Sequence, residues 1–302
     1  MAFFMLVGIS GSGKSTFAKE IKYWGELEGE NVEIFSSDEI RKELYGDASI
    51  QKDHEKVFRI LHSRVKEALS QGKTAVYDAC NLSAKRRRAF LQEIQKYKTP
   101  KHCIVIASDY NSCVKNQEKR DRKVPVEVIK RQIKSFEFPN EELEGWDFVG
   151  FISPFHNFSL EEELENLRSI SHDNPHHSLT IGEHMLLTEK LAKEDGAPGV
   201  VVSACRYHDI GKGFCKEFKN YNGESSEIAH YYGHQNVSAY MILSSKEYAC
   251  SYLESKLIAS FVQHHMDPFI LSEKAYSDKY KNISPMLAAY IPKIHQYDRE
   301  AH

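Results

Sequence analysis

Five short apolar runs rich in branched and aromatic side chains mark the first half of the chain, at residues 3–9, 32–36, 74–79, 102–107 and 148–152. They predict strands buried in a parallel sheet. The intervening segments 15–28, 53–70, 83–97 and 126–136 carry helical spacing, which implies βαβ crossovers and a three-layer α/β sandwich. In such sheets ligands sit beyond the carboxyl ends of the strands, so candidate chemistry is sought there. After Gly145-Trp146-Asp147 and the last strand, the stretch 154–158 breaks the pattern. Ser159-x-x-Glu162 then predicts a capping box for a short acidic helix at 160–168. From there the pattern is nearly all helical. The predicted organisation is an α/β domain over 1–158, a linker helix over 159–170 and an all-α domain over 171–302.

The first strand runs into Gly8-Ile9-Ser10-Gly11-Ser12-Gly13-Lys14-Ser15-Thr16, which opens the first helix. This is a phosphate-binding loop (P-loop) in its proper strand–loop–helix setting. Glycines let successive main-chain N–H groups turn inward around a triphosphate, Lys14 reaches the outer phosphates, and the Ser15 hydroxyl can hold Mg²⁺. Gly8, Ser10, Gly11, Ser12, Gly13, Lys14, Ser15 and Thr16 are the expected ATP-binding residues.

Charge divides the 302 residues unevenly. Residues 1–158 hold 26 Lys+Arg against 23 Asp+Glu and nine of the twelve arginines, whereas 159–302 hold 14 against 20 and eleven of the fifteen histidines. Arginine suits phosphate handling in the first half, and histidine suits a metal or proton-transfer site in the second. The overall net charge of −3 opposes indiscriminate nucleic-acid binding and leaves only a local groove or patch for it. Six cysteines without a C-x-x-C pair fit a reducing cytoplasm. No segment reads as a signal peptide or membrane span.

Three further stretches carry candidate chemistry. After the second strand, Ser36-Ser37-Asp38-Glu39-Ile40-Arg41 offers either a helix cap at Ser37 or Asp38, or a general base with an anion clamp. After the third, Asp78-Ala79-Cys80-Asn81 puts an acid at a strand tip, suited to Mg²⁺ water or to the acceptor. The cations Lys85-Arg86-Arg87-Arg88 that follow read first as a solvated helix face. Lys119-Arg120-Asp121-Arg122-Lys123 precedes Val124-Pro125, where a proline ends one helix and starts the next, as a lid hinge requires. In order and spacing, the glycine loop, Asp38 with Arg41, Asp78-x-x-Asn81 and Arg120-x-Arg122 resemble the kinase domain of the bacteriophage-type polynucleotide 5′-kinases, over roughly residues 1–155. The resemblance implies that Asp38 accepts the proton of a nucleic-acid 5′-hydroxyl and that Arg41 grips the acceptor's phosphate. A lid arginine, Arg120 or Arg122, would cover the transferring phosphate; the spacing admits either.

The second half carries His176-His177, His184, His208-Asp209-Ile210-Gly211-Lys212, His230, His234, His264-His265 and Asp298. Only His208-Asp209 ends an apolar helix, at 200–207, and is followed by a glycine able to cap it and a lysine able to face a phosphate; His172-Asp173 has neither. With the stretches 174–184 and 232–235, this resembles the HD-family metal-dependent phosphohydrolases. The resemblance implies that His184, His208, Asp209 and Asp298 bind a first metal, with Mn²⁺, Ni²⁺, Co²⁺, Fe²⁺ or Zn²⁺ all suited to the set. His234 and His264 are either ligands of a second metal or phosphate contacts, and His177 is a substrate contact. His230, His265 and His295 read as ordinary surface or packing histidines. Lys193-Glu194-Asp195-Gly196 imitates the nucleotidyl-transferase K-x-D-G signature at the charged end of a helix, in a chain without room for a ligase fold.

Together the two resemblances imply a bifunctional end-healing enzyme, with ATP and Mg²⁺ at one site and a transition metal at the other. Its kinase phosphorylates a 5′-OH end of RNA or DNA, and its HD domain removes a 2′,3′-cyclic or terminal 2′/3′ phosphate. Both products are what a separate nucleic-acid ligase consumes. Two alternatives stay open: a small-molecule kinase fused to a nucleotide phosphohydrolase, and a nucleotide-controlled switch that transfers nothing.

Overall fold

The structure is a computed structural model and describes residues 1–119, 122–175, 178–248, 251–281 and 283–301. The chain divides into two compact units, one of residues 1–132 with 139–154, the other of residues 133–138 with 155–302.

The first unit contains β1 (Phe3–Val7), α1 (Lys14–Leu27), β2 (Val32–Ser36), α2 (Ser37–Tyr45), α3 (His54–Ser70), β3 (Thr74–Asp78), α4 (Ala84–Ile94), β4 (Lys101–Ile106) and α5 (Tyr110–Glu118). It continues with α6 (Val126–Lys134, its last two residues counted with the second unit), α7 (Glu141–Glu144) and β5 (Phe148–Ile152). All five strands are parallel, in the order β2-β3-β1-β4-β5. Every β-residue of β3 is buried, as a strand covered on both faces requires. Leu6, Ala18, Val32, Val76, Ile104 and Ile106 form the cluster under α1. The observed elements sit within a few residues of the predicted ones. The predicted cap at Ser37 or Asp38 belongs instead to Ser36, whose Oγ accepts the Asp38 N–H at 3.2 Å.

One member of the basic run departs from a solvated face. Lys85, Arg86 and Arg88 are exposed, but Arg87 is 1% exposed and forks onto Glu144, with Nε to Oε2 at 2.9 Å and Nη2 to Oε1 at 2.6 Å. Its Nη1 donates to the carbonyls of Asn81 and Leu82 at 2.8 and 3.0 Å. It thereby braces the turn that follows the Asp78 strand tip.

The second unit is helical, with α8 (Leu160–Leu167), α9 (Ile181–Glu194), α10 (Gly199–Tyr207), α11 (Lys212–Cys215), α12 (His234–Ser244), α13 (Tyr252–His264), α14 (Asp267–Ile270), α15 (Glu273–Tyr280) and α16 (Pro285–Glu300). It also holds an unpredicted antiparallel hairpin, β6 (Glu217–Lys219) and β7 (Ser225–His230). The segment expected as a linker helix belongs to this unit: Leu160, Leu164 and Leu167 of α8 are buried. Its capping box forms only by half. Ser159 Oγ accepts the Glu162 N–H at 3.3 Å, while the Glu162 carboxylate pairs with Lys246 at 2.8 Å. A complete box starts α9, from Thr180 and Glu183.

Candidate functional sites

The glycine loop depends on two left-handed residues, Gly11 and Gly13, at φ +89° and +103°. A Cβ on Gly11 would collide with the Cys113 carbonyl oxygen, so only glycine lets the loop lie there. Ser108 Oγ donates to the Ser12 carbonyl at 2.8 Å and Asn116 Nδ2 to the Gly11 carbonyl at 3.0 Å. Gln132 Oε1 accepts the Ser10 N–H at 2.7 Å. Lys14 Nζ donates to the Ile9 carbonyl at 2.8 Å, and Ser15 Oγ to Asp78 Oδ2 at 2.7 Å. Sheet register brings Asp78 opposite Leu6 on the neighbouring strand. A helix N-terminus, a lysine and a hydroxyl–carboxylate pair are the parts that a Mg²⁺-triphosphate needs, so these residues fit that ligand.

Asp38 stands in the first turn of α2, just past the end of β2. Its Oδ2 lies 2.7 Å from Arg122 Nη1 and its Oδ1 3.5 Å from Arg41 Nη1. The two arginines differ in freedom. Arg41 is 5% exposed, and its guanidinium also meets the Ser37 carbonyl at 3.2 Å and His54 Nδ1 at 3.3 Å. Burial lowers its pKa by more than Asp38 raises it. Arg122 is the more exposed of the two, whereas Arg41, expected to grip an acceptor phosphate, is nearly buried and already engaged by these contacts.

In the second unit, His184, His208, Asp209 and Asp298 bring one possible ligand atom each within 4.8 Å of one another, and Asp209, His234 and His265 do the same. The four imidazoles share one construction. Nδ1 of His184, His208, His234 and His265 faces the carbonyls of Ala301, Cys205, Tyr231 and Val262 at 2.8, 2.8, 2.9 and 2.7 Å. A carbonyl only accepts, so each Nδ1 carries a hydrogen and Nε2 is the ring atom left to ligate. Yet Nε2 of His184 lies 3.2 Å from that of His208, and Nε2 of His234 lies 3.4 Å from that of His265. Nitrogens facing each other at this separation need a shared proton or a cation between them.

Two carboxylates complete the cluster. Asp209 Oδ2 is 3.2 Å from His208 Nε2 and its Oδ1 is 3.3 Å from His234 Nε2, so one carboxylate serves both groups. Asp298 Oδ1 lies 2.9 and 3.3 Å from Nε2 of His184 and His208. Burial pushes the His208 imidazole down, but Asp209 and Asp298 outweigh it and raise its pKa to about 10. The two carboxylates thus favour a positive charge, a proton or a cation, beside them. Burial, with His208 and His234 beside it, pushes His265 down to about 3, and burial likewise lowers His234. Those rings stay neutral, the form that ligates metal. Imidazoles oriented by carbonyls around a shared carboxylate fit divalent transition metals.

Comparison with known proteins bears on the first half. Residues 3–139 match the family described as AAA domain. The L-seryl-tRNA(Sec) kinase of Methanococcus maripaludis is 28% identical over 145 residues, 47% of this chain and 55% of that protein; the chain thus spans about half the length of this curated relative. Residues 3–139 form a P-loop kinase-like domain. Among solved structures, Kti12 of Chaetomium thermophilum in complex with ADP-AlF3 aligns at a TM-score of 0.43 with 16% identity, covering 50% of this chain and 89% of that one. A gluconokinase from Sinorhizobium meliloti aligns at 0.34 with 17% identity, covering 50% and 82%.

The kinase-like domain implies ATP and Mg²⁺, and Lys14, Ser15, Asp78 and Asp38 lie at its strand ends. Of the two lid arginines, Arg122 meets Asp38; Arg120 lies outside the described residues, as does His177. Gln132 and Asn116 were missed from the sequence because nothing local distinguishes them from other amides on amphipathic helices. In the second unit, the place expected for His264 belongs to His265. His264 Nδ1 lies 3.3 Å from Asp267, which also holds Lys279 at 2.6 Å and the Tyr280 hydroxyl. Adjacent helical residues project about 100° apart, so only one of the pair can face Asp209. Lys212, expected to face a phosphate, rests 2.6 Å from Asp209 Oδ2. Gly211 is not a left-handed cap, since its φ is −79°. A Cβ there would come within 2.7 Å of the His234 carbonyl and 2.8 Å of the Ser238 amide, so glycine admits α12 to close range. Among the described residues no helix is long and apolar enough to cross a membrane.

Proposed function

We propose that the chain heals nucleic-acid ends, RNA foremost, through two phosphate chemistries. The P-loop domain transfers the terminal phosphate of ATP to a 5′-hydroxyl, and the helical unit, read as an HD-type phosphohydrolase, removes a 2′,3′-cyclic or terminal 2′/3′ phosphate. The observation that carries the reading is Asp209, shared by two pairs of facing imidazoles in a chain whose other half is kinase-like. The name of the relative from Methanococcus maripaludis specifies a seryl-tRNA, an acceptor hydroxyl carried by RNA, and the same class of acceptor is taken for this chain.

In the transfer, Asp38 accepts the hydroxyl proton as the acceptor oxygen attacks the γ-phosphorus in line; the bond to the β-phosphate oxygen breaks, and ADP leaves. Arg122 moves with the charge spreading over the phosphoryl oxygens and Lys14 exchanges the Ile9 carbonyl for the outer phosphates; Ser15 with Asp78 would hold Mg²⁺, which when bound neutralises charge on the phosphates. In the helical unit, His184, His208, Asp209 and Asp298 would hold one ion and Asp209, His234 and His265 a second. When bound, such ions supply Lewis acidity toward a phosphoryl group and acidify water. Lys212 keeps Asp209 ionised and offers a cation to the incoming phosphate. A 5′-phosphate and a free 3′-hydroxyl are ligase substrates, so a separate nucleic-acid ligase is the partner this reading requires.

The test is incubation with ATP and a 5′-OH oligonucleotide, with a 2′,3′-cyclic-phosphate end assayed in parallel. Asp38→Ala abolishes transfer and spares hydrolysis, and His208→Ala does the reverse. Phosphorylation of small nucleosides or metabolites with none of the oligonucleotide would sink the nucleic-acid reading.

A further inference from the structure

The unpredicted hairpin carries aromatic rings into solvent at the edge of the histidine cluster. Its tip is tightly closed: Asn220 N–H donates to the Glu224 carbonyl at 2.8 Å, and Asn220 Oδ1 accepts the N–H groups of Asn222 and Glu224 at 3.0 Å each. Tyr221 on this tip is 88% exposed. Its ring meets Tyr232 edge to face at 5.8 Å, and Tyr232 lies parallel to His230, 5.3 Å apart and tilted by 6°. The Tyr232 hydroxyl also binds His230 Nδ1 at 3.2 Å, and His230 Nε2 meets Ser226 Oγ at 3.1 Å. The three rings therefore form one fixed surface rather than three loose side chains.

That surface is tied to the metal-ligand geometry. Tyr232 and Gly233, the latter at φ +79°, are the central residues of a tight turn in which the His234 N–H returns to the Tyr231 carbonyl at 3.1 Å. The same carbonyl orients the His234 ring. Two residues of chain span at most about 7 Å, the scale of one nucleotide from phosphate to base. Charge narrows the occupant. Glu217, Glu224 and Glu227 outnumber Lys219 on the hairpin, which opposes a phosphate backbone running along it and leaves the uncharged face of a single base.

We propose that Tyr221, His230 and Tyr232 form a base-stacking subsite that holds the nucleobase of the terminal nucleotide while its phosphate lies at the Asp209 cluster. The assignment rests on the phosphohydrolase reading and sharpens it, since it makes the substrate a nucleotide rather than any phosphate ester.

The test compares a nucleoside 2′,3′-cyclic phosphate with the base-free ribose 2′,3′-cyclic phosphate, with equilibrium dialysis of a nucleoside 3′-monophosphate alongside. Wild type has a KM lower by about tenfold for the base-bearing substrate, the scale of one base–aromatic stack. Tyr221→Ala and Tyr232→Ala erase that difference by raising the KM of the base-bearing substrate to that of the base-free one, weaken dialysis binding by the same factor, and Tyr221→Phe restores both. Equal KM values for the two substrates in wild type, with no effect of the alanine variants, overturn the subsite while leaving the phosphohydrolase intact. Tyrosine-dependent binding without hydrolysis of either substrate supports the platform and removes the phosphohydrolase reading. Unchanged nucleotide binding accompanied by altered sedimentation of Tyr221→Ala assigns the rings to a protein contact and overturns the proposal.

Discussion

Replacing Arg87 with alanine tests whether the basic run is a nucleic-acid patch or a brace. Arg87 is 1% exposed and donates twice to Glu144 and once each to the Asn81 and Leu82 carbonyls. Truncation leaves the nearly buried Glu144 carboxylate with the Trp146 indole N–H at 3.0 Å and without its counter-charge. Breaking a buried pair from one side costs about 3–5 kcal/mol; the surviving Trp146 bond places this case near ~3 kcal/mol. For a domain of this size that is a fall of roughly 6–12 °C in the unfolding midpoint. Thermal unfolding followed by circular dichroism reads it directly. Adding Glu144→Leu to Arg87→Met recovers most of the loss, because an apolar pair removes the stranded charge. Lys85→Ala, Arg86→Ala and Arg88→Ala leave the midpoint within about 1 °C, as exposed substitutions do. An Arg87→Ala midpoint within about 2 °C of wild type, with oligonucleotide affinity reduced instead, would refute the bracing role.

In the proposed two-ion arrangement, His265→Ala removes the ion of the second histidine group and keeps that of the first, whereas His264→Ala keeps both; elemental analysis of metal-loaded protein checks this, and the opposite pattern would restore the sequence-based choice. Gly211→Ala forces α12 away from the turn that opens α11, costs about 1–3 kcal/mol by overpacking, and in the proposed two-ion arrangement lowers metal content at the His234 group; a variant with unchanged unfolding midpoint and metal content would contradict the close approach. Burial lowers the His62 pKa against the opposing Glu93, so the neutral ring contributes stability that is complete above its unfolded value of about 6.5 and is lost as pH falls through the folded one. The wild-type midpoint therefore drops more than that of His62→Gln between about pH 7 and pH 5; parallel curves would dismiss the effect.

Much of the first half was legible in its sequence because the determinants are local. Strands buried on both faces must be apolar runs, helices must carry their spacing, and a triphosphate loop must place glycines, a lysine and a hydroxyl within nine residues. The same locality grouped His208 with Asp209. What the chain could not disclose by itself were choices made by rotation and approach. Whether His264 or His265 turns toward Asp209 depends on the rotation of α13 about its axis, since adjacent positions point about 100° apart. Which of four consecutive cations is buried depends on Glu144, 57 residues away, and why Gly211 is glycine depends on the arrival of α12. Gln132 at the glycine loop and the hairpin rings near His234 belong to the same class. Sequence determined the chemistry available at each strand end and helix end; tertiary packing decided which of those groups share a site, because side-chain direction and partner distance are set only when the elements come together.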